Sequence, residues 1–218
     1  MDALLWTRAE DHRATLALAH GAGVGMTSPF MEQIAGLLAD RGVSVARFEF
    51  PYMAERRHGG AKRPPPRADK LIEPFAEACR AVLAENLSGP LAIGGKSLGG
   101  RVAAMLAGQS DDADGPTGVV CLGYPFHPPG RPEQLRLAPL QDAAGKTGCP
   151  VLICQGDRDP FGNAAEIEGY SLPRTVSVSF LEDGDHDFKP RGRSPATWKG
   201  NLAAAADHVA AFLAALPH

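Results

Sequence analysis

The chain has 218 residues, 44% of them hydrophobic, and a formal charge of −3. That is long enough to bury a large core in one α/β domain, read here as residues 1–218, and too short for that domain plus a substantial cap. So small an acidic excess gives no reason to expect nucleic acid or an acidic membrane surface as a partner.

Residues 1–8 reach charge before an apolar run of signal-peptide length can form, and a short strand is predicted over 3–7. A second strand, over 14–20, contains Thr15-Leu16-Ala17-Leu18-Ala19 and runs into His20-Gly21-Ala22-Gly23. Ser28 and Pro29 have helix N-cap and first-turn chemistry, and Gly42 closes that helix before a strand over 43–50. Residues 51–67 hold Arg56, Arg57, His58, Lys62, Arg63 and Arg67 among glycines and three consecutive prolines, which predicts an exposed irregular loop. A helix is expected over about 68–87. The strand over 90–95 leads into Gly95-Lys96-Ser97-Leu98-Gly99 and then a helix-forming run, Arg101-Val102-Ala103-Ala104-Met105-Leu106-Ala107. Strands over 118–124, 150–155 and 175–181 follow, with a helix over about 195–215. Strands alternating with helices argue for a mostly parallel sheet of about seven strands, covered on both faces.

Strand, glycine-bracketed serine and helix together describe a nucleophile elbow, with Ser97 Oγ projecting from the sheet edge. A serine hydroxyl is a weak nucleophile at neutral pH, so it needs a histidine to take its proton and an acid to orient that histidine. Carboxylates stand at the end of the strand over 150–155, in Gly156-Asp157-Arg158-Asp159-Pro160, where Asp157 and Asp159 compete for the acid's role. The histidine expected after the last strand is His186, within Glu182-Asp183-Gly184-Asp185-His186-Asp187-Phe188. An oxyanion hole requires backbone N–H groups aimed at the attacked carbonyl oxygen, and Leu98 and Ala22 are the expected donors. His20 reads as structural, holding the loop that carries Ala22.

These motifs, with Ser28-Pro29-Phe30-Met31 and Gly123-Tyr124-Pro125, give a chain that resembles the α/β-hydrolase superfamily over almost its whole length. Within it, the chain is similar to the small, nearly lidless predicted hydrolases, the dienelactone-hydrolase-like enzymes and the relatives of testis-expressed protein 30. The resemblance implies the α/β-hydrolase fold with little or no cap, since residues 126–148, where relatives insert a lid, are too few. It implies a triad of Ser97, Asp159 and His186, because Asp159 sits at the offset from Gly156 that the family uses; Asp157 would then serve the turn. It implies hydrolysis of a small ester, thioester or lactone through an acyl-enzyme on Ser97, without a cofactor. The alternative is a catalytically weak binding or scaffold protein on the same fold. Lys96 departs from the histidine, tyrosine, glutamate or cysteine that many esterases carry before the nucleophile. Lys96, Arg56, Arg57 and His127 are therefore candidate substrate contacts, with the basic loop biasing the site toward anionic substrates.

A phosphate-binding loop fails at Gly94-Gly95-Lys96-Ser97, because Pro90 stands where that motif needs glycine. Metal catalysis is poorly served, since Asp183, Asp185, His186 and Asp187 lack a second histidine at ligand spacing. The four cysteines form no Cys-x-x-Cys pair and read as small core residues of a reducing compartment. No run approaches the ~20 apolar residues of a membrane-spanning helix. The sequence thus predicts a cytoplasmic protein, monomer or homodimer, with a small-molecule substrate and no nucleic-acid or membrane partner.

Overall fold

The computed structural model describes residues 4–109 and 115–217. Its sheet is built from β1 (Leu5–Thr7), β2 (Ala14–Ala19), β3 (Val43–Phe48), β4 (Leu91–Lys96), β5 (Gly118–Leu122), β6 (Val151–Gly156) and β7 (Val176–Leu181). The first expected strand began at residue 3, which lies outside the described residues. The spatial order is β1-β3-β2-β4-β5-β6-β7, with β1 antiparallel to β3 and every other neighbouring pair parallel.

Both faces of this sheet are covered, and the strand sequences show why. Alternate side chains of a strand point to opposite faces. In β2, Leu16 and Leu18 join one apolar cluster while Ala17 and Ala19 join the other; in β6, Leu152 and Cys154 are divided from Val151 and Ile153 in the same way. The first cluster is completed by α1 (Pro29–Ala39) and α7 (Trp198–Ala214), the second by α3 (Ile72–Leu83) and α4 (Leu98–Ala107). Strands apolar on both sides are the mark of a buried parallel sheet.

Helix ends depart from the sequence reading where local chemistry overrides pattern. Ser28 takes the N-cap position of α1, but its hydroxyl makes no capping bond and is buried without a partner. The expected helix over 68–87 starts as a 3₁₀ turn, Ala68–Leu71, and ends at Leu83. Pro74, which has no N–H to give, is tolerated because it falls in the first turn of α3. Thr197 caps α7 through Oγ1, accepting from Gly200 N–H at 3.0 Å.

The expectation of an irregular loop over 51–67 is corrected for its first half, where Pro51–Arg57 form α2. Proline at the first helical position presets φ and loses no hydrogen bond, and Met53 buries itself in the fold. The glycines and prolines after His58 are irregular, as expected.

Between β5 and β6 the described residues build only a short α5 (Ala138–Gln141) and one π turn, Asp142–Lys146, rather than a cap. A further short helix, α6 (Ala164–Glu168), follows β6. No described helix is long and apolar enough to cross a membrane.

The order of strands reverses direction at β2, which pairs with β3 on one side and β4 on the other. In open parallel sheets, ligands bind outside the carboxyl ends of the strands at such a switch point. His20-Gly21-Ala22 leaves β2 there, and Ser97 leaves β4.

Candidate active site

Ser97 occupies the tight turn between β4 and α4 with φ 52° and ψ −112°, a backbone state that L-residues rarely adopt. Such strain costs ~1–3 kcal/mol and persists only where the surroundings enforce it. They do so through Gly95 and Gly99. A Cβ on Gly95 would stand 2.5 Å from the Gly99 carbonyl carbon, and one on Gly99 would stand 2.7 Å from the carbonyl oxygens of both Ala19 and His20. The two glycines thus let β4, β2 and the start of α4 touch at backbone distance, and Ser97 is turned outward. Its N–H is anchored to the Leu122 carbonyl at the end of β5 (3.0 Å).

Ser97 Oγ lies 2.9 Å from His186 Nε2, and His186 Nδ1 lies 2.7 Å from Asp159 Oδ2. The partners assign the tautomer: Nδ1–H donates to the carboxylate, leaving Nε2 to accept from the serine hydroxyl. Asp159 is fully buried. Its Oδ1 accepts from Phe161 N–H (2.8 Å), and its Oδ2 also accepts from Gln155 Nε2 (2.9 Å). A buried carboxylate is stable only when its lone pairs are met in this way.

Gln155 and Phe161 were not singled out by sequence. Gln155 is the one polar side chain in the core of β6, and it bonds Tyr124 N–H (2.7 Å) and the Gly162 carbonyl (3.0 Å) as well as Asp159. A glutamine ending an otherwise apolar strand was the available signal. Phe161 packs its ring on the His186 imidazole, centroids 4.2 Å apart, a contact no local pattern announces.

Asp157, the other candidate acid, points elsewhere: its Oδ2 accepts from Asp183 N–H (3.0 Å), at the start of the loop that carries His186. That loop is fixed further by Asp183. Its carboxylate is bonded by Arg191 and lies beside Arg158, and the two hold it down at a pKa of about 2. Asp185 Oδ1 accepts from the N–H groups of Asp187 (2.8 Å) and Lys189 (2.9 Å).

The loop after β2 is held from its outer side. His20 Nδ1–H donates to the Gly21 carbonyl (2.6 Å), while its Nε2 accepts from Phe50 N–H (3.1 Å). Tyr52 Oη reaches the carbonyls of Gly21 (3.4 Å) and Ala22 (3.3 Å), and Arg56 donates to the Gly23 carbonyl (3.2 Å). In a planar trans peptide, N–H and C=O point in opposite directions. With the Gly21 carbonyl drawn toward His20 and Tyr52, the Ala22 N–H of the same peptide faces away from them. Gly21 itself sits against the elbow, where an added Cβ would lie 3.8 Å from Ser97 Cβ. Leu98, as the first residue of α4, has an N–H with no intrahelical acceptor.

The candidate substrate contacts are placed differently from expectation. Lys96 is not an exposed ammonium: it is buried, with Nζ 3.4 Å from Asp187 Oδ1 and 5.5 Å from the Phe30 ring centroid. Burial lowers its pKa, opposed first by Asp187 and then by Asp159. Arg57, itself exposed, is a counter-ion to the fold, donating at 2.8 Å to the buried carboxylate of Glu49, which in turn accepts from Met26 N–H. Arg56 is occupied with the Gly23 carbonyl. His127 is sealed from solvent, with Nδ1 on the Pro128 carbonyl (2.9 Å) and Nε2 3.5 Å from Glu166. The helical part of the basic segment therefore braces the loop after β2.

A family model describing an alpha/beta hydrolase domain matches residues 12–214. Among solved structures, an α/β serine hydrolase homologue from Coxiella burnetii is similar at 18% identity and TM-score 0.65, covering 96% of this chain and 90% of that one. A lidless α/β serine hydrolase from Xanthomonas campestris aligns at 18% identity and TM-score 0.64, covering 98% and 90%. A dienelactone hydrolase from Anabaena variabilis aligns at 18% identity, with TM-score 0.64 and coverages of 98% and 91%.

Proposed function

We propose that this chain, which belongs to the alpha/beta hydrolase domain family, is a serine hydrolase that cleaves a small ester, thioester or lactone through an acyl-enzyme on Ser97. The observation that carries the reading is the continuous relay from Ser97 Oγ to His186 (2.9 Å) to Asp159 (2.7 Å), built on a strained elbow. A structural serine has no need of that strain.

In the mechanism, His186 Nε2 takes the Ser97 proton as Oγ attacks the substrate carbonyl. Asp159 stabilises the imidazolium so formed and keeps its Nε2–H aimed at the reacting oxygen. The N–H groups of Leu98 and Ala22 receive the negative charge on the carbonyl oxygen, where donors fixed in advance cost no reorganisation. Collapse of the tetrahedral adduct expels the alcohol or thiol, which takes the proton from Nε2. Water then attacks the acyl-enzyme with His186 as base, releasing the acid and restoring Ser97. Phe161 and Gln155 touch no reacting atom; they fix the orientation of His186 and Asp159.

The test is labelling by a fluorophosphonate probe together with turnover of p-nitrophenyl acetate. Wild-type protein should be labelled at Ser97 and turn over the ester. Ser97→Ala should lose both while melting at an unchanged temperature, with turnover falling on the order of 10⁶ if the triad acts as a unit. Turnover that survives in the variant refutes the assignment.

A further inference from the structure

Arg101 lies one helical turn beyond Ser97, its N–H donating to the Ser97 carbonyl at 3.1 Å. On α4, Gly99, Gly100, Val102, Ala103 and Ala104 form the buried face, while Leu98, Arg101 and Met105 form a half-buried stripe beside it. Helical side chains lean back toward the N-terminus of their helix, so the Arg101 side chain is carried toward the end that presents Ser97.

Arg136 approaches from the segment after β5. It is fixed just ahead of α5, which packs on α4, by its N–H to the Phe126 carbonyl (2.7 Å) and by Tyr124 Oη to its own carbonyl (2.8 Å). Both guanidiniums lie within electrostatic reach of the buried Tyr124 hydroxyl and of each other. Partial burial and the neighbouring Arg101 charge push Arg136 below the ordinary arginine range.

Three other buried or half-buried cations have found partners. Arg47 donates to the Met26 carbonyl and Thr7 Oγ1, Arg158 pairs with Asp183, and Lys96 pairs with Asp187. Arg101 and Arg136 have none among the described residues: no acid and no carbonyl meets either side chain, and Arg101 Nε is shut away from solvent without an acceptor. Two like charges, partly desolvated and unpaired, are costly. The Nη nitrogens of both arginines keep solvent access and have no partner among the described residues, so an acceptor from outside the chain can meet them there.

We propose that Arg101 and Arg136 form an anion subsite beside Ser97 that holds a carboxylate carried by the substrate a few bonds from the reacting carbonyl, which makes half-esters of short dicarboxylic acids the preferred substrate class. The subsite's place in catalysis rests on the serine-hydrolase reading, although anion binding by the two arginines does not. Arginine's planar fork matches a carboxylate with two parallel hydrogen bonds. A terminal phosphate shares that chemistry, and the test separates the two.

Three p-nitrophenyl esters of matched length are compared: the glutarate half-ester, its methyl-capped neutral counterpart, and an analogue ending in phosphate. Wild-type kcat/KM should favour the carboxylate over the neutral ester by about tenfold or more, the worth of one charge-assisted hydrogen bond. Arg136→Met, which leaves α4 untouched, should collapse that ratio through KM; Arg101→Met should do the same, and Arg101→Lys should keep part of it. Circular dichroism melts monitor the fold of each variant. A wild type that prefers the neutral ester, or a ratio that neither methionine variant moves, overturns the subsite. An analogue with phosphate that outruns the carboxylate overturns the substrate class.

Glutarate binding to Ser97→Ala, followed by calorimetry, needs no nucleophile. If glutarate binds there and is lost in the Arg136→Met background while wild type resists the fluorophosphonate, the subsite stands and the hydrolase reading falls. Fluorophosphonate labelling without glutarate binding removes the subsite alone.

Discussion

At the scale of single residues, the carboxylates after β6 divide their work by orientation. Asp159 meets His186 and Asp157 meets the Asp183 backbone. Asp159→Asn should therefore lower turnover by ~10⁴, because the amide favours the wrong histidine tautomer, whereas Asp157→Asn should act mainly by loosening the loop and cost far less. Equal losses in steady-state assays would contradict that division. Ser97, Asp159 and His186 could be picked out of the sequence because the elbow and the strand ends confine them to one edge. Gln155, Phe161 and the partner of Lys96 could not, since each acts across a tertiary contact that spacing does not encode. Lys96 supplies a second test. A buried ammonium is costly, and an apolar side chain of similar length removes the cost. Lys96→Met should leave the melting temperature at pH 7 unchanged or higher, while Asp187→Asn, which strips the cation of its counter-charge, should lower it. The opposite order in thermal melts would mean that the pair stabilises the fold outright.

Among elements, the loop after β2 depends on one neutral histidine. His20 must be a donor at Nδ1 and an acceptor at Nε2 at once, and protonation would destroy the acceptor that holds Phe50 N–H. Burial lowers its pKa below the ordinary 6.5, against the smaller opposing effects of the Gly21 carbonyl and Glu49. The unfolded chain therefore takes up this proton more readily than the folded one. The stability that neutral His20 contributes is full above about pH 6.5 and is lost as pH falls from there through the folded value. Urea midpoints at pH 7.5 and 5.5 should fall more for wild type than for His20→Gln, which has no proton to gain; parallel slopes would rule out this origin. The same neighbourhood shows where sequence reading stops. Glycines, prolines and six basic residues over 51–67 read as one loop, yet Pro51 begins a helix whose Arg56 and Arg57 are used up on the Gly23 carbonyl and on Glu49. The Gly23 carbonyl lies a full strand back along the chain, and Glu49 meets Arg57 only because Pro51–Arg57 coil into a helix, so charge density alone could not reveal that these arginines are structural.

For the molecule as a whole, the five inner strands, β2 to β6, were legible as short, largely apolar runs bounded by glycine, proline or charge, the pattern of a sheet buried on both sides, while the edge strands β1 and β7 are only partly buried. Helix ends were less legible, since a 3₁₀ start at Ala68 and a chain break from helix after Leu83 depend on what each turn packs against. The architecture then bears on substrate size. Between β5 and β6 the chain builds α5, four residues long, and a π turn of five, and neither can close over the switch point as a cap would. A long acyl chain bound at Ser97 would stay in water beyond its first few carbons. Each methylene moved from water into an apolar channel is worth ~0.8 kcal/mol, or about fourfold in kcat/KM if fully expressed. An enzyme with such a channel gains efficiency steeply up to the channel's length. Here p-nitrophenyl esters of graded length should show efficiency highest at short chains, about two to four carbons, and flat or falling thereafter. A maximum at ten carbons or more would require an apolar tunnel that α5 and its flanking turns do not form.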